Sequence, residues 1–216
     1  MMSSLIVVGI LASALIRSVA EFQQPGLSLS EMTDRYCIGP DGDHRLTWTL
    51  LEQDGFAPLS PDAFETLHLR GTVANGIRAF SKVEGDRELR VLTSSSWLRV
   101  PDQGQTFYRW CWVSVSPESM SQAERDMREA MDGRGFRVER VRLFAWIPRP
   151  DGLNEAVSRR DYMREGNTLA REQGMRQVTL RAYEGAVFVG YASPRDEATY
   201  REFDWAGPEP VPAPER

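Results

Sequence analysis

The residues best suited to chemistry are Cys37 and Cys111, the only thiols in the 216-residue chain. Thiols can serve as a nucleophile, a redox pair or a disulfide. Redox pairs usually stand as C-x-x-C, and a catalytic cysteine needs a free thiolate beside a base. These two lie far apart, and an even count in an exported chain favours a disulfide. The expectation is one structural Cys37–Cys111 bridge. Histidine offers less, with only His44 and His68. Asp41-Gly42-Asp43 precedes His44 like the start of a calcium loop, but Arg45 stands where the next oxygen ligand belongs. A turn followed by a helix N-cap accounts for the aspartates, so no metal site is expected. Thr93-Ser94-Ser95-Ser96 is the one serine cluster. No G-x-S-x-G or S-x-x-K surrounds it, and Lys82 is the only lysine. A triad drawing on His44 or His68 stays open, because triads assemble in space. No G-x-G-x-x-G or Walker A sequence occurs, so no cofactor is expected. The catalytic residues, if any, are unknown at this level.

Aromatic residues carry the second kind of signal. Tyr108, Trp110 and Trp112 alternate along one strand and share a face. Trp97, Phe144 and Trp146 are expected to join them across the sheet. Exposed, such a stripe is a platform for carbohydrate or peptide; under helices it is core. Tyr200, Phe203 and Trp205 form a second cluster that either docks the C-terminus onto the domain or meets a partner. The candidate ligand or partner surface is therefore Tyr108, Trp110, Trp112, Trp146, Tyr200, Phe203 and Trp205.

The elements that must position these residues follow from local signals. Residues 5–16 are an apolar run too short to span a membrane, followed by Ser18-Val19-Ala20, so a signal peptide over 1–20 is expected. A single domain over 21–206 and a Pro-rich disordered tail over 207–216 complete the organisation. Ser28 and Glu31 make a capping box, with Leu27 and Met32 as its hydrophobic staple and Gly39-Pro40 as the stop. Leu29, Met32, Tyr36 and Cys37 then line one helix face, aiming Cys37 at the core. A second helix is expected over 44–54, capped by Asp43 and ended at Gly55, with Leu46, Trp48, Leu50 and Leu51 as its apolar face. A short third helix starts at Ser60-Pro61.

From residue 75 the period becomes two. Strands are expected over 77–83 and 87–93 around a Glu84-Gly85-Asp86 turn, with 97–100 extending the sheet. The stretch 106–115 is apolar on both faces, the mark of a central strand. A helix from Ser116-Pro117 to Gly133, a strand over 136–147 and a hairpin of 175–183 with 186–192 follow. Residues 153–173 read both ways, because Gly166-Asn167 interrupts a helical pattern.

The net charge of −5 provides no electrostatic footprint for nucleic acid or anionic lipid. The expected cleavage after Ala20 would remove Arg17 and leave no membrane anchor; the alternative reading of the segment is an uncleaved N-terminal anchor or a buried helix. Tyr36-Cys37 in an N-terminal helix, Gly55-Phe56 ending the next helix and Cys111-Trp112-Val113 in a central strand resemble small exported bacterial proteins without an assigned activity. That resemblance implies a periplasmic or secreted location and the disulfide, with no mechanism attached. The fold expected is α+β, an antiparallel sheet of about five to seven strands with helices packed chiefly on one face. The function expected is a non-enzymatic binding module for a small ligand, a peptide or another envelope protein. The alternative is a hydrolase of a cell-envelope substrate.

Overall fold

The computed structural model describes residues 26–60, 75–183 and 186–195. The expected signal peptide, the Ser60-Pro61 helix beyond Ser60, His68, the Glu184-Gly185 turn, the Tyr200/Phe203/Trp205 cluster and the tail lie outside them.

The chain begins with helix α1 (Leu29–Thr33), and its capping box forms as expected. Ser28 Oγ accepts the Glu31 N–H while the Glu31 carboxylate accepts from the Ser28 N–H at 2.7 Å. The helix then widens into a π-helical turn (Asp34–Ile38) that still faces Tyr36 and Cys37 inward, each 1 % exposed. Gly39 keeps helical angles; the left-handed turn comes two residues later, at Asp41 (φ 47) and Gly42 (φ 80). Helix α2 (His44–Gln53) follows, with the Asp43 carboxylate accepting the Leu46 N–H. Its buried residues are His44, Thr47 and Leu51, whereas Leu46 is exposed. The apolar face expected from Leu46 is thus rotated toward polar residues that find partners: Thr47 Oγ1 donates to the Tyr36 carbonyl at 2.8 Å.

Among the described residues the fold is α+β around one antiparallel sheet of nine strands. Six of them are long: β2 (Asn75–Glu84), β3 (Arg87–Val100), β4 (Gly104–Ser116), β6 (Val141–Pro148), β8 (Arg176–Tyr183) and β9 (Ala186–Arg195). The expected five to seven falls short because three strands of two or three residues are added at the edges. These are β1 (Ala57–Pro58), β5 (Phe136–Val138) and β7 (Asn154–Ala156). Elements so short leave no periodicity to read. The order is β1-β2-β3-β4-β9-β8-β6-β5, with β7 also on β6. Residues 136–147 are a hairpin and not one strand, because Glu139 adopts φ 52 between β5 and β6.

β4 is central, between β3 and β9, as its two apolar faces require. On one face Cys111, Val113 and Val115 join Leu29, Met32, Tyr36, Cys37 and Leu51 in the main core. Ala123 and Met127 of α3 (Met120–Ala130) belong to it too. On the other face Tyr108 joins Leu143, Ala145 and Ala192 beneath α4 (Arg159–Gln173), where Ala170 is buried and Tyr162 and Leu169 pack alongside.

Helix α4 resolves the stretch that the sequence left open. Its interruption at Gly166-Asn167 is a kink: Glu165 leaves helical angles, with φ −147 and ψ 20. A Cβ on Gly166 would sit 3.2 Å from the Tyr162 ring. Asn167 uses the kink to bind the sheet, donating to the Gly104 carbonyl at 3.0 Å and accepting from Thr106 Oγ1 at 3.2 Å. Gly174, at φ 67, ends the helix in the left-handed region that favours glycine.

Candidate functional site

A cleft of about 650 Å³ opens between the N-terminal helical segment and the β2–β3 hairpin. That size falls in the range of small-ligand sites. Its floor is apolar: Met32, Tyr36, Phe56 and Leu89, all buried. Tyr36 and Phe56 meet edge to face at 5.4 Å between ring centroids. Tyr36 owes its position to the capping box that sets the helix register and to the disulfide one residue on. Phe56 is placed by the glycine stop of α2, Gly55 at φ 79.

The rim is charged and paired. Arg35 donates to Asp54 through two hydrogen bonds of 2.7 and 2.8 Å, and Tyr36 Oη donates to the same carboxylate at 2.7 Å. On the facing wall Lys82 Nζ lies 2.6 Å from Glu84, and 5.8 Å from the Phe56 ring centroid. Arg87 donates to the Leu27 carbonyl at 3.0 Å. The chain at Gly26 passes so close that a Cβ there would meet Glu84 Oε2 at 2.4 Å and Arg87 Nη1 at 3.0 Å. Asp54 is held below the ordinary carboxylate range chiefly by its Arg35 hydrogen bonds, with Tyr36 and the charges of Arg35 and Lys82 adding to it against burial. Burial and the neighbouring Asp54 push the Tyr36 phenol well above its usual range. Tyr36 is therefore a neutral donor at ordinary pH.

The disulfide is formed. Cys37 and Cys111 are bonded with Cα atoms 5.4 Å apart, and both are buried. It ties the π-helical turn to the central strand, and thereby the helical wall of the cleft to the sheet.

The aromatic stripe divides. Tyr108, Trp110 and Trp112 share a face, Tyr108 and Trp110 at 5.3 Å and Trp110 stacked on Trp112 at 5.8 Å. Tyr108 is buried in the α4 core, and Trp110 packs against that core while donating to Ser96 Oγ at 2.8 Å. Trp112 is half-buried, with the Arg181 guanidinium 4.9 Å from its ring centroid, and its Nε1 is buried with no acceptor. Trp146 and Phe144 do not join this face. Strand register puts them on the opposite side, in the main core, where Trp146 lies 6.1 Å from Tyr191. Trp97 likewise meets Phe107 on that side, at 5.2 Å. The alternation was legible within each strand, but the phase of one strand against another is set by pairing.

The serine cluster is buried within β3, and two of its four hydroxyls hold indole groups of the fold. Thr93 Oγ1 accepts Trp48 Nε1–H at 2.9 Å, and Ser96 Oγ accepts from Trp110. His44 is 2 % exposed. Burial, then the positive charge of Arg109, pushes its pKa down to about 3, so it is a neutral imidazole at ordinary pH. Among the described residues no group of three or more His, Cys, Asp and Glu could hold a metal ion.

Sequence reasoning did not assemble the cleft. Arg35, Asp54, Lys82 and Arg87 are ordinary charges until the helices dock on the hairpin. The lone lysine, Lys82, and Phe56 directly after the Gly55 stop are visible in the sequence, but neither by itself marks a site. No protein-family model, no curated protein and no solved structure matches the chain.

Proposed function

We propose that the protein is an exported, non-enzymatic binding module of the bacterial cell envelope, periplasmic or secreted, and that the cleft beside α1 is its ligand site. The observation that carries this reading is the cleft itself, an apolar aromatic floor under a rim of partly exposed, mutually paired charges. Ligand sites commonly combine an apolar lining with a few polar groups that orient the guest. The Cys37–Cys111 bridge and the apolar run over 5–16 support export. The described serines and His44 support binding over hydrolysis. The Thr93 and Ser96 hydroxyls accept indole N–H groups, and the His44 imidazole is buried and neutral.

The test is a ligand screen on ¹⁵N-labelled, oxidised protein. Binding is expected to move the amide signals of Arg35, Asp54, Phe56, Lys82 and Arg87 together. Ligands that move Trp110, Trp112 and Arg181 while leaving these five still would transfer the function to the aromatic face. Release of product from envelope substrates by the purified protein would restore the hydrolase reading.

A further inference from the structure

The cleft wall carries Arg35, Lys82 and Arg87 against Asp54, Glu84 and Asp86, so its formal charges cancel. They are also arranged in pairs on facing walls: Arg35 with Asp54 on the helical side, Lys82 with Glu84 on the hairpin side. The pairs lie near enough for the Lys82 charge to act on Asp54. None of the four heads is sealed away, with side-chain exposures of 46 % and 26 % in the first pair and 32 % and 29 % in the second. A purely anionic guest would draw a cation from its carboxylate and leave that carboxylate uncompensated. A cationic guest would strand an arginine or lysine in the same way. Such uncompensated charge costs more as the site is desolvated. A guest bearing one charge of each sign inserts between the pairs and leaves every charge with a partner. The floor of Met32, Tyr36, Phe56 and Leu89 asks that the body between those charges be apolar.

We infer that the cleft takes a small zwitterion with an apolar body, the chemistry of an amino acid or short peptide with both termini free. This rests on the reading of the cleft as the ligand site. The Arg35 fork turns from Asp54 to receive the carboxylate end and Glu84 receives the ammonium, while Asp54 keeps Tyr36 Oη and faces the Lys82 that Glu84 releases. Gly26 lines the site, and its missing side chain lets the backbone lie against Glu84 and Arg87.

The probe is the dipeptide phenylalanyl-leucine in four forms: free, N-acetylated, C-amidated, and blocked at both ends. Calorimetric titration of the full-length, oxidised protein is expected to give the free form at least about tenfold tighter binding than each of the others. Glu84→Gln, which removes the partly exposed acceptor of the ammonium, is expected to bring the ratio of free to N-acetylated affinity to about one. Arg35→Gln provides a second reading, on the ratio of free to C-amidated affinity, should Glu84→Gln fold poorly. Val83→Ser, an exposed position whose strand alternation points it to the other face of the sheet, is expected to leave both ratios as they are. Equal affinity for all four forms, or preference for the singly charged ones, overturns the zwitterion inference. So does failure of all four when other compounds still shift the cleft amides, and in that case the site reading survives. If no compound moves those amides, both readings fall.

Discussion

Arg176 grips Asp41 with both ends of its guanidinium fork, at 2.7 and 2.9 Å across 135 residues of chain. Ser193 Oγ donates to the same carboxylate at 2.8 Å, Tyr191 Oη also donates to it, and Arg195 stands 3.3 Å away. These contacts lock the turn between the π-helical segment and α2 onto β8 and β9. They also hold Asp41 at φ 47, uncommon outside glycine though tolerated best by Asp and Asn.

Asp41→Asn is expected to destabilise the fold by about 2 kcal/mol, discounted from charged hydrogen-bond values because the carboxylate is partly exposed. Equilibrium urea unfolding measures it. Burial pushes the Asp41 carboxyl upward, but the Arg176 and Tyr191 hydrogen bonds and the Arg176 and Arg195 charges outweigh it and hold its pKa below the ordinary aspartate value. A depressed folded-state pKa confers stability that is present above the unfolded value and lost as pH falls through the folded one. Stability should therefore drop on acidification below about pH 4, and Asp41→Asn should drop less steeply. An unchanged slope would assign the acid sensitivity to other carboxylates.

The disulfide closes a 74-residue separation. In the chain-entropy model that stabilises the fold by about 4 kcal/mol. Replacing both cysteines by serine, or reducing the protein, should lower the urea midpoint accordingly and broaden the amide signals of Arg35 and Tyr36 before those of β8. Native thiol titration of the oxidised protein should find no free cysteine.

Gly190 lies under the Trp112 ring, and a Cβ there would come within 2.2 Å of it. Gly190→Ala must displace the indole and with it the Arg181 contact. The expected cost is about 1–3 kcal/mol, with a shift in tryptophan emission as the ring is pushed out. A silent substitution would show that the ring moves freely and packs weakly.

Thr93 is fully buried and its hydroxyl is the acceptor for Trp48 Nε1. Thr93→Val keeps the shape and removes the acceptor, leaving an indole N–H stranded beneath Arg78, whose guanidinium lies 3.9 Å from the Trp48 ring centroid. A loss of about 1–2 kcal/mol is expected by thermal unfolding. Thr93→Ser should lose much less.

Much of the local structure was legible. The Ser28–Glu31 box, the Asp43 cap with its Gly55 stop and the turn at Gly85 each obey rules that act within a few residues, and each formed. Burial on both sides put residues 106–115 at the centre of the sheet. The errors lay where distant partners decide. Leu46 reads as apolar face, but α2 turns Thr47 and His44 inward because the Tyr36 carbonyl and the strand beneath supply polar partners. Trp146 reads as a neighbour of Trp110, but pairing of β6 with β8 puts it on the other face.

By itself the sequence determined the cysteine pairing, since two inward-facing cysteines allow one bridge, and the α+β class, since periodicities of 3.6 and 2 are written in side-chain order. Tertiary structure alone decided the cleft. Arg35, Asp54, Lys82 and Arg87 come from separate elements, and the Arg35–Asp54 pair faces Lys82 and Arg87 only because α1 and its π-helical turn are bonded through Cys37 to β4, opposite the β2–β3 hairpin. The physical reason is range. Caps and periodicity are settled by neighbours in the chain, whereas electrostatic pairing depends on distance through space, which the docking of helix on sheet sets.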